Sequence, residues 1–266
     1  LLITGIFSKR AYLENGRLPV IMYQGDILDL NNKLDIEVRG LTKTYRGSSE
    51  EALKGISLSV QKGEFMGLLG PNAAGKTTMI SIMCGLLKLT GGEVSVCGTD
   101  LRKNPGAIRR MIGLVPQDIA LYPAMTLREN IEFFASMHGL SGKALKSRVA
   151  DGLAAMQLEQ HARKKASDCS GGIKRRANLV AGIIHRPELV FLDEPTVGVD
   201  VQSRNLIFEF VKDINRKGTT VVYTTHYMEE AEALCGRVVI IDDGRVIRDG
   251  APADLARGEG CNDLGE

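Results

Sequence analysis

The stretch Gly70-Pro71-Asn72-Ala73-Ala74-Gly75-Lys76-Thr77-Thr78 constrains this chain more than any other, because it fits the pattern G-x-x-x-x-G-K-[ST] and sits between two contrasting segments. Before it, Phe65 to Leu69 is almost wholly apolar, the mark of a strand buried on both faces. After it, Met79, Ile80, Ile82, Met83, Leu86 and Leu87 recur at helical spacing, which predicts a helix that stops near Gly91-Gly92 with glycine as its C-cap. Strand, glycine loop and helix in that order make a phosphate cradle. The glycines let successive N–H groups point inward, and the helix N-terminus adds partial positive charge. In such a cradle Lys76 reaches the β- and γ-phosphates of a nucleotide and the Thr77 hydroxyl ligates magnesium. The bland alternative is a glycine turn before a helix. The bare pattern arises by chance in roughly one chain of this length in a hundred, and the flanking strand and helix lower that again.

The rest of the chain from Leu34 onward alternates short β-rich runs with helical patterns, the rhythm of an α/β sheet protein. Leu34 to Val38 and Ile56 to Val60 read as early strands. From about Thr126 to Gln157 the pattern is helical without strands, and Thr126 followed by Glu129 is a capping box, so this part reads as a helical subdomain inserted into the α/β core. A helix follows Gly171-Gly172 and runs to about His185, closed by Pro187. Leu189 to Leu192 is a second buried strand ending in Asp193-Glu194-Pro195. A helix near Val201 to Arg216, a strand Thr219 to Tyr223, a helix near Met228 to Leu234 and a hairpin turning at Asp243-Gly244 follow.

Composition narrows the function classes. The chain has 266 residues, and 34 basic against 32 acidic side chains leave a formal charge of +2, too little for the positive field that binds nucleic acid backbones. Nucleic acid is therefore not an expected partner. The 5 cysteines, Cys84, Cys97, Cys169, Cys235 and Cys261, are scattered and have neither metal-ligand nor redox-dithiol spacing, which fits a reducing compartment. No apolar run approaches the roughly 18 to 20 residues that span a bilayer. The opening Leu1-Leu2-Ile3 lacks the basic segment of a signal peptide. A start without Met reads as a fragment or processed product, with Met22 as an alternative start.

A phosphate cradle alone leaves kinases, GTPases and many ATPases open, and the motifs downstream decide among them. Cys169-Ser170-Gly171-Gly172-Ile173-Lys174-Arg175-Arg176 precedes Leu189-Val190-Phe191-Leu192-Asp193-Glu194-Pro195-Thr196, and together they resemble the signature motif and Walker B strand of ABC ATPases in their family order. The resemblance covers roughly residues 34 to 252. It implies an α/β fold: a P-loop NTPase core with a mainly parallel sheet, an N-terminal antiparallel β-subdomain and an inserted helical subdomain at about 118 to 170. Residues 1–33 then form an extension and 253–266 a tail, neither matching a nameable pattern.

By this resemblance, Gly70 to Thr78 and Ser170, Gly171 and Gly172 hold ATP, and Tyr45 is similar to the aromatic that stacks on adenine. Gln117 looks like the Q-loop glutamine that senses magnesium and attacking water. Asp193 would hold magnesium through water. Glu194 would be the general base. Asp200 resembles the D-loop aspartate, and it is equally placed to cap the next helix. His226 looks like the switch histidine that contacts the γ-phosphate. Lys76, Gln117, Glu194 and His226 form the implied catalytic set, with Thr77, Gln117 and Asp193 around Mg2+. Taken singly, a loop glutamine is solvated, a lone histidine at a strand end is structural, and acidic residues cap turns.

Each family signature closes over nucleotide held by another subunit's P-loop. The implied partners are therefore a second ATPase subunit, identical or related, and a membrane-spanning permease subunit. The permease would place the chain on the inner face of the cell membrane, with Leu121-Tyr122-Pro123 between Gln117 and Thr126 at the contact, although a core role for Leu121 and Tyr122 fits equally. Ser-Gly-Gly-Ile-Lys-Arg-Arg and Asp-Glu-Pro-Thr-Val-Gly-Val-Asp are closer to ABC-2 type exporters than to sugar importers. Two departures stand out. Ala73 occupies a usual glycine position, which costs roughly 1 kcal/mol or more if φ there is positive, and Cys169 replaces a leucine or aromatic. Competing readings are a non-transport ABC ATPase, which expects tandem ATPase units or a long coiled coil, a P-loop nucleotide kinase, which leaves the later motifs idle, and a binding-only subunit.

Overall fold

The computed structural model describes residues 34–258. The expectations for residues 1–33, Met22 included, and for the tail from residue 259, with Cys261, fall outside the described residues.

Two sheets organise the chain. Strands β1 (Leu34–Thr44), β2 (Glu51–Gln61), β4 (Gly91–Val96) and β5 (Thr99–Asp100) form a four-stranded antiparallel sheet in the order β2-β1-β4-β5. The second sheet takes β3 (Phe65–Leu69), β6 (Ile112–Val115), β7 (Leu189–Asp193), β8 (Thr220–Thr225), β9 (Arg237–Asp242) and β10 (Arg245–Gly250) in the order β10-β9-β3-β8-β7-β6. All its pairings are parallel except the terminal β9–β10 hairpin. Every residue of β3, β7 and β8 is buried, as central parallel strands require, with the apolar runs of β3 and β7 joined by buried polar groups at Asp193, Thr220, Thr224 and Thr225. The hairpin turns where Asp243 (φ 43°) and Gly244 (φ 71°) both take the left-handed region, as a two-residue turn matching strand twist demands.

The helix after the glycine loop is shorter than its periodicity predicts. α1 (Lys76–Met83) ends well before Gly91-Gly92. Gly85, at φ +69°, turns the chain out of the helix, and Gly91 and Gly92 instead begin β4. Leu86 therefore lies outside the helix and is 59% exposed. α2 (Pro105–Met111) and β6 were not marked in the sequence; α2 starts with Pro at its first turn and the Asn104 side chain capping Ala107 N.

Between β6 and β7 the chain is helical: α3 (Leu127–Met137), α4 (Gly142–Ala155), two 3-10 turns and α5 (Gly171–Ile183). The Thr126–Glu129 capping box is present in full. The Thr126 side chain accepts from Glu129 N at 3.2 Å, and the Glu129 carboxylate accepts from Thr126 N at 2.8 Å. The Glu129 carboxylate accepts from Thr126 N and also from the Thr126 hydroxyl at 2.8 Å, and these two bonds favour its ionised form and hold it below its ordinary range. Leu127, Ile131, Ala135, Val149 and Leu153 pack this unit into one core with α5 and the outer face of the parallel sheet. α6 (Val201–Arg216), α7 (Met228–Leu234) and α8 (Pro252–Gly258) complete the described chain, α8 lying in what the sequence left as tail. Among the described residues no helix is long and apolar enough to cross a membrane.

Candidate functional site

The loop between β3 and α1 is shaped by two backbone demands. Gly75 stands at φ +108°, and a Cβ there would lie 2.7 Å from Leu53 Cδ2 and 3.0 Å from Ala52 O, so only glycine fits. Ala73 stands at φ 68°, the left-handed region that a Cβ penalises by roughly 1–2 kcal/mol. The loop thus keeps the curl its glycine pattern predicts while carrying strain at one alanine. Pro71, Asn72 and Thr77 are exposed, Ala74 is buried, and Thr78 is half-buried with its Oγ1 2.9 Å from the Tyr45 hydroxyl. The Tyr45 ring is 45% exposed beside this hydroxyl pair, with Lys43 Nζ 5.2 Å from its centroid.

Lys76 is 5% exposed and donates to Gly70 O at 2.7 Å and Pro71 O at 3.0 Å. Its ammonium also lies 3.5 Å from Glu194 Oε1, both side chains being buried. Taking one partner from a buried ion pair costs about 3–5 kcal/mol, so the two groups hold each other in place. Glu194 follows β7 directly and adopts φ 46°, an uncommon conformation for a residue with a side chain and the kind of strain that collects at functional sites. Thr224 fixes it there: its hydroxyl accepts from Glu194 N at 3.0 Å and donates to Asp193 Oδ1 at 2.6 Å.

Two more side chains converge on the same carboxylate. Gln117 Nε2 donates to Glu194 Oε2 at 3.2 Å, bridging from the segment after β6. His226 Nδ1 lies 3.3 Å from Glu194 Oε1 but off the line of a hydrogen bond, which leaves that buried nitrogen without a partner. Lys76, Gln117, Asp193, Glu194 and His226 therefore gather at the C-terminal edge of the parallel sheet, against the N-terminus of α1. Thr224 was not singled out in the sequence. Its place in the run Thr224-Thr225-His226, at the end of an apolar strand, was the available signal. Arg175 was also missed: it is buried in α5 and donates to Gln117 O at 2.5 Å, tying the glutamine's loop to that helix. The run Lys174-Arg175-Arg176 hid which basic residue points inward.

Ser170, Gly171 and Gly172 lie elsewhere. They open α5, where Ser170 is exposed and its side chain makes no capping bond. Among the described residues no hydrogen bond or ion pair joins them to the Gly70–Thr78 loop. Their neighbour is Asp200, which caps α6 by accepting from Ser203 N at 2.8 Å and Ser203 Oγ at 3.0 Å, bonds that hold its carboxyl below the usual range. A Cβ on Gly172 would sit 2.5 Å from Ser203 Oγ and 2.6 Å from Asp200 Oδ2. Glycine is what lets α5 approach the start of α6 so closely. Cys169 packs beside it, 7% exposed, its thiol donating to Lys165 O at 3.3 Å.

A cavity of about 270 Å³ opens between the parallel sheet and the helical unit, lined by Leu86, Leu114, Phe134, Met137, His138 and His185 among others. The two imidazoles stack with centroids 3.6 Å apart, and burial followed by the neighbouring His138 lowers His185 to about 4. Leu121 is core, whereas Tyr122 is 48% exposed and meets Phe133 edge-on.

Known proteins match this arrangement. The ABC transporter family profile matches residues 53–197. The linearmycin resistance ATP-binding protein LnrL of Bacillus subtilis (strain 168) is 46% identical over 86% of this chain and 72% of its own length. A Nod factor export ATP-binding protein I of Burkholderia orbicola (strain AU 1054) is 40% identical over 85% of this chain and 74% of its own. The dimeric post-hydrolysis structure of the ATP-binding cassette MJ0796 bound to ADP and Pi superposes with TM-score 0.76 at 31% identity, covering 81% of this chain and 98% of that one.

Proposed function

The chain belongs to the ABC transporter family as an ATP-binding, ATP-hydrolysing subunit, and from that premise we propose how its own residues divide the work. The observation that carries the proposal is the meeting of Lys76, Gln117 and His226 on one carboxylate, Glu194, beside the phosphate-binding loop.

Tyr45 offers its exposed ring to adenine, and the backbone N–H groups of Gly70 to Thr78, with the α1 N-terminus, receive the phosphates. Lys76 then exchanges its carbonyl partners for β- and γ-phosphate oxygens. Glu194 accepts a proton from water as the water oxygen attacks the γ-phosphorus and the bond to the β-phosphate oxygen breaks, giving ADP and phosphate. Gln117 orients that carboxylate through its amide, and His226, 3.3 Å from the same carboxylate, contacts the γ-phosphate. The oxygen donors near this carboxylate suit magnesium, a hard cation: the exposed Thr77 hydroxyl, Asp193 and the Gln117 carbonyl. When bound, the cation would neutralise charge on the β- and γ-phosphates.

The Ser170–Gly172 corner completes a site only across a dimer, closing over nucleotide held by a second copy of this chain. Asp200, packed between that corner and α6, relays closure. The apolar cavity beside Leu86, Phe134 and Met137, with exposed Tyr122 at its margin, receives an apolar segment of the membrane subunit. The relatives named for resistance and export favour an exporter. The test is magnesium-dependent ATPase activity of the wild type and Glu194→Gln, with size-exclusion chromatography of each in ATP. Loss of about 10² to 10⁴ in rate together with an ATP-trapped dimer supports the reading. Retained hydrolysis by Glu194→Gln rejects Glu194 as base.

A further inference from the structure

Behind the catalytic carboxylate lies a second buried one, with a separate set of partners. Glu230, on the first turn of α7, is 4% exposed. Its carboxylate accepts from three hydroxyls: Thr196 Oγ1 at 2.8 and 3.0 Å, Tyr223 at 2.9 Å and Thr225 Oγ1 at 2.9 Å. Thr196 and Tyr223 also touch each other at 3.2 Å, and Thr225 Oγ1 accepts from Tyr227 N at 3.0 Å. Burial, then the adjacent Glu230 charge, pushes the Tyr223 phenol well above its ordinary range, so it stays a donor.

The chain positions of these partners give the cluster its meaning. Thr196 comes two residues after Glu194, in the turn whose first bond runs from Val197 N to Glu194 O at 3.3 Å. Thr225 and Tyr227 flank His226. One carboxylate thus ties the segment carrying the base to the segment carrying the histidine, and it does so from a third element, α7. A buried acidic group is costly unless fully hydrogen-bonded, and a small apolar core at the same place would avoid that cost. What the carboxylate adds is a defined spacing between two strand ends.

We propose that Glu230 is a positioning residue for hydrolysis, setting the distance between Glu194 and His226 through Thr196 and Thr225 without touching the nucleotide. The proposal rests on the roles given above to Glu194 and His226. Misplacing a reacting group by about 1 Å costs on the order of 10² in rate.

The experiment measures kcat and KM for ATP, with melting temperature, for the full chain as wild type, Glu230→Ala, Glu230→Gln, Thr196→Val and Glu194→Gln. Glu230→Ala is expected to lower kcat about 10²-fold with KM within about twofold of wild type. Glu230→Gln, which still accepts hydroxyls through its carbonyl, should recover part of that loss, and Thr196→Val should lose a smaller part in the same sense. Should Glu230→Ala fail to fold, the Gln and Val variants carry the test. A folded variant set with lowered melting temperature but wild-type kcat overturns the proposal, as does an equal rise in KM. If Glu194→Gln itself keeps wild-type kcat, the underlying assignment of the base fails instead.

Discussion

The Gly70–Thr78 corner and the Ser170–Gly172 corner are both helix N-termini opened by glycines, yet they differ in what surrounds them. The first is closed on itself: Lys76 is buried against two carbonyls and Glu194, and Gln117 and His226 reach the same carboxylate from other elements. The second presents an exposed Ser170 and finds its neighbour in Asp200 and Ser203 rather than in any catalytic group. The difference teaches that the candidate hydrolytic residues gather at one corner of the chain, while the other corner, the lid, covers none of them. Such a division makes sense when the lid of one copy meets the loop of another, so that ATP becomes part of the interface and its hydrolysis loosens it.

The comparison is broken most severely by placing negative charge on the lid. Ser170→Glu is exposed, so folding should be untouched, and its carboxylate would repel phosphate. ATP binding to the isolated chain should persist while hydrolysis falls about 10²- to 10³-fold, the scale for losing an anion-stabilising donor. Nucleotide binding by equilibrium titration, set beside phosphate release, checks both halves. If Ser170→Glu hydrolyses normally, the lid has no part in the reaction. The smallest effect sharpens the comparison from the other corner. Ala73→Gly removes left-handed strain at φ 68° and should raise stability by about 1 kcal/mol, part of the gain being offset by glycine's entropy. Thermal melting reads that gain. ATP affinity should change by less than about fivefold, since the strain is present before nucleotide arrives.

Much of this was legible in the sequence because it is local. The phosphate loop, the apolar strands β3 and β7 and the Thr126–Glu129 capping box are each written in consecutive residues, and each has one physical solution. The end of α1 was misread because Leu86 and Leu87 continue the helical spacing by chance, while Gly85 supplies the turn; periodicity alone does not register a single left-handed glycine. β4 and β6 were missed because Gly91-Gly92-Glu93 and the short Ile112–Val115 run lack the length or alternation that marks a strand. The side chains that brace the segments around Glu194 were the least legible. Thr224, Arg175 and Glu230 act across 31, 58 and as many as 34 residues of sequence, and of the three only Thr224, beside Thr225-His226, carries a local signal. Leu121 and Tyr122 were balanced between core and surface, and the structure divides them, burying the first and exposing the second.

The central claim is that a functional site takes its loop from one copy and its lid from another. It is tested most directly by mixing two variants that are each inactive, Lys76→Ala and Ser170→Glu, and measuring ATP hydrolysis before and after mixing. In a mixed dimer the intact loop of the Ser170→Glu chain faces the intact lid of the Lys76→Ala chain, so the account predicts that hydrolysis returns to an intermediate level on mixing. Activity that stays at the sum of the two separate variants, while chromatography shows mixed dimers in ATP, would contradict it.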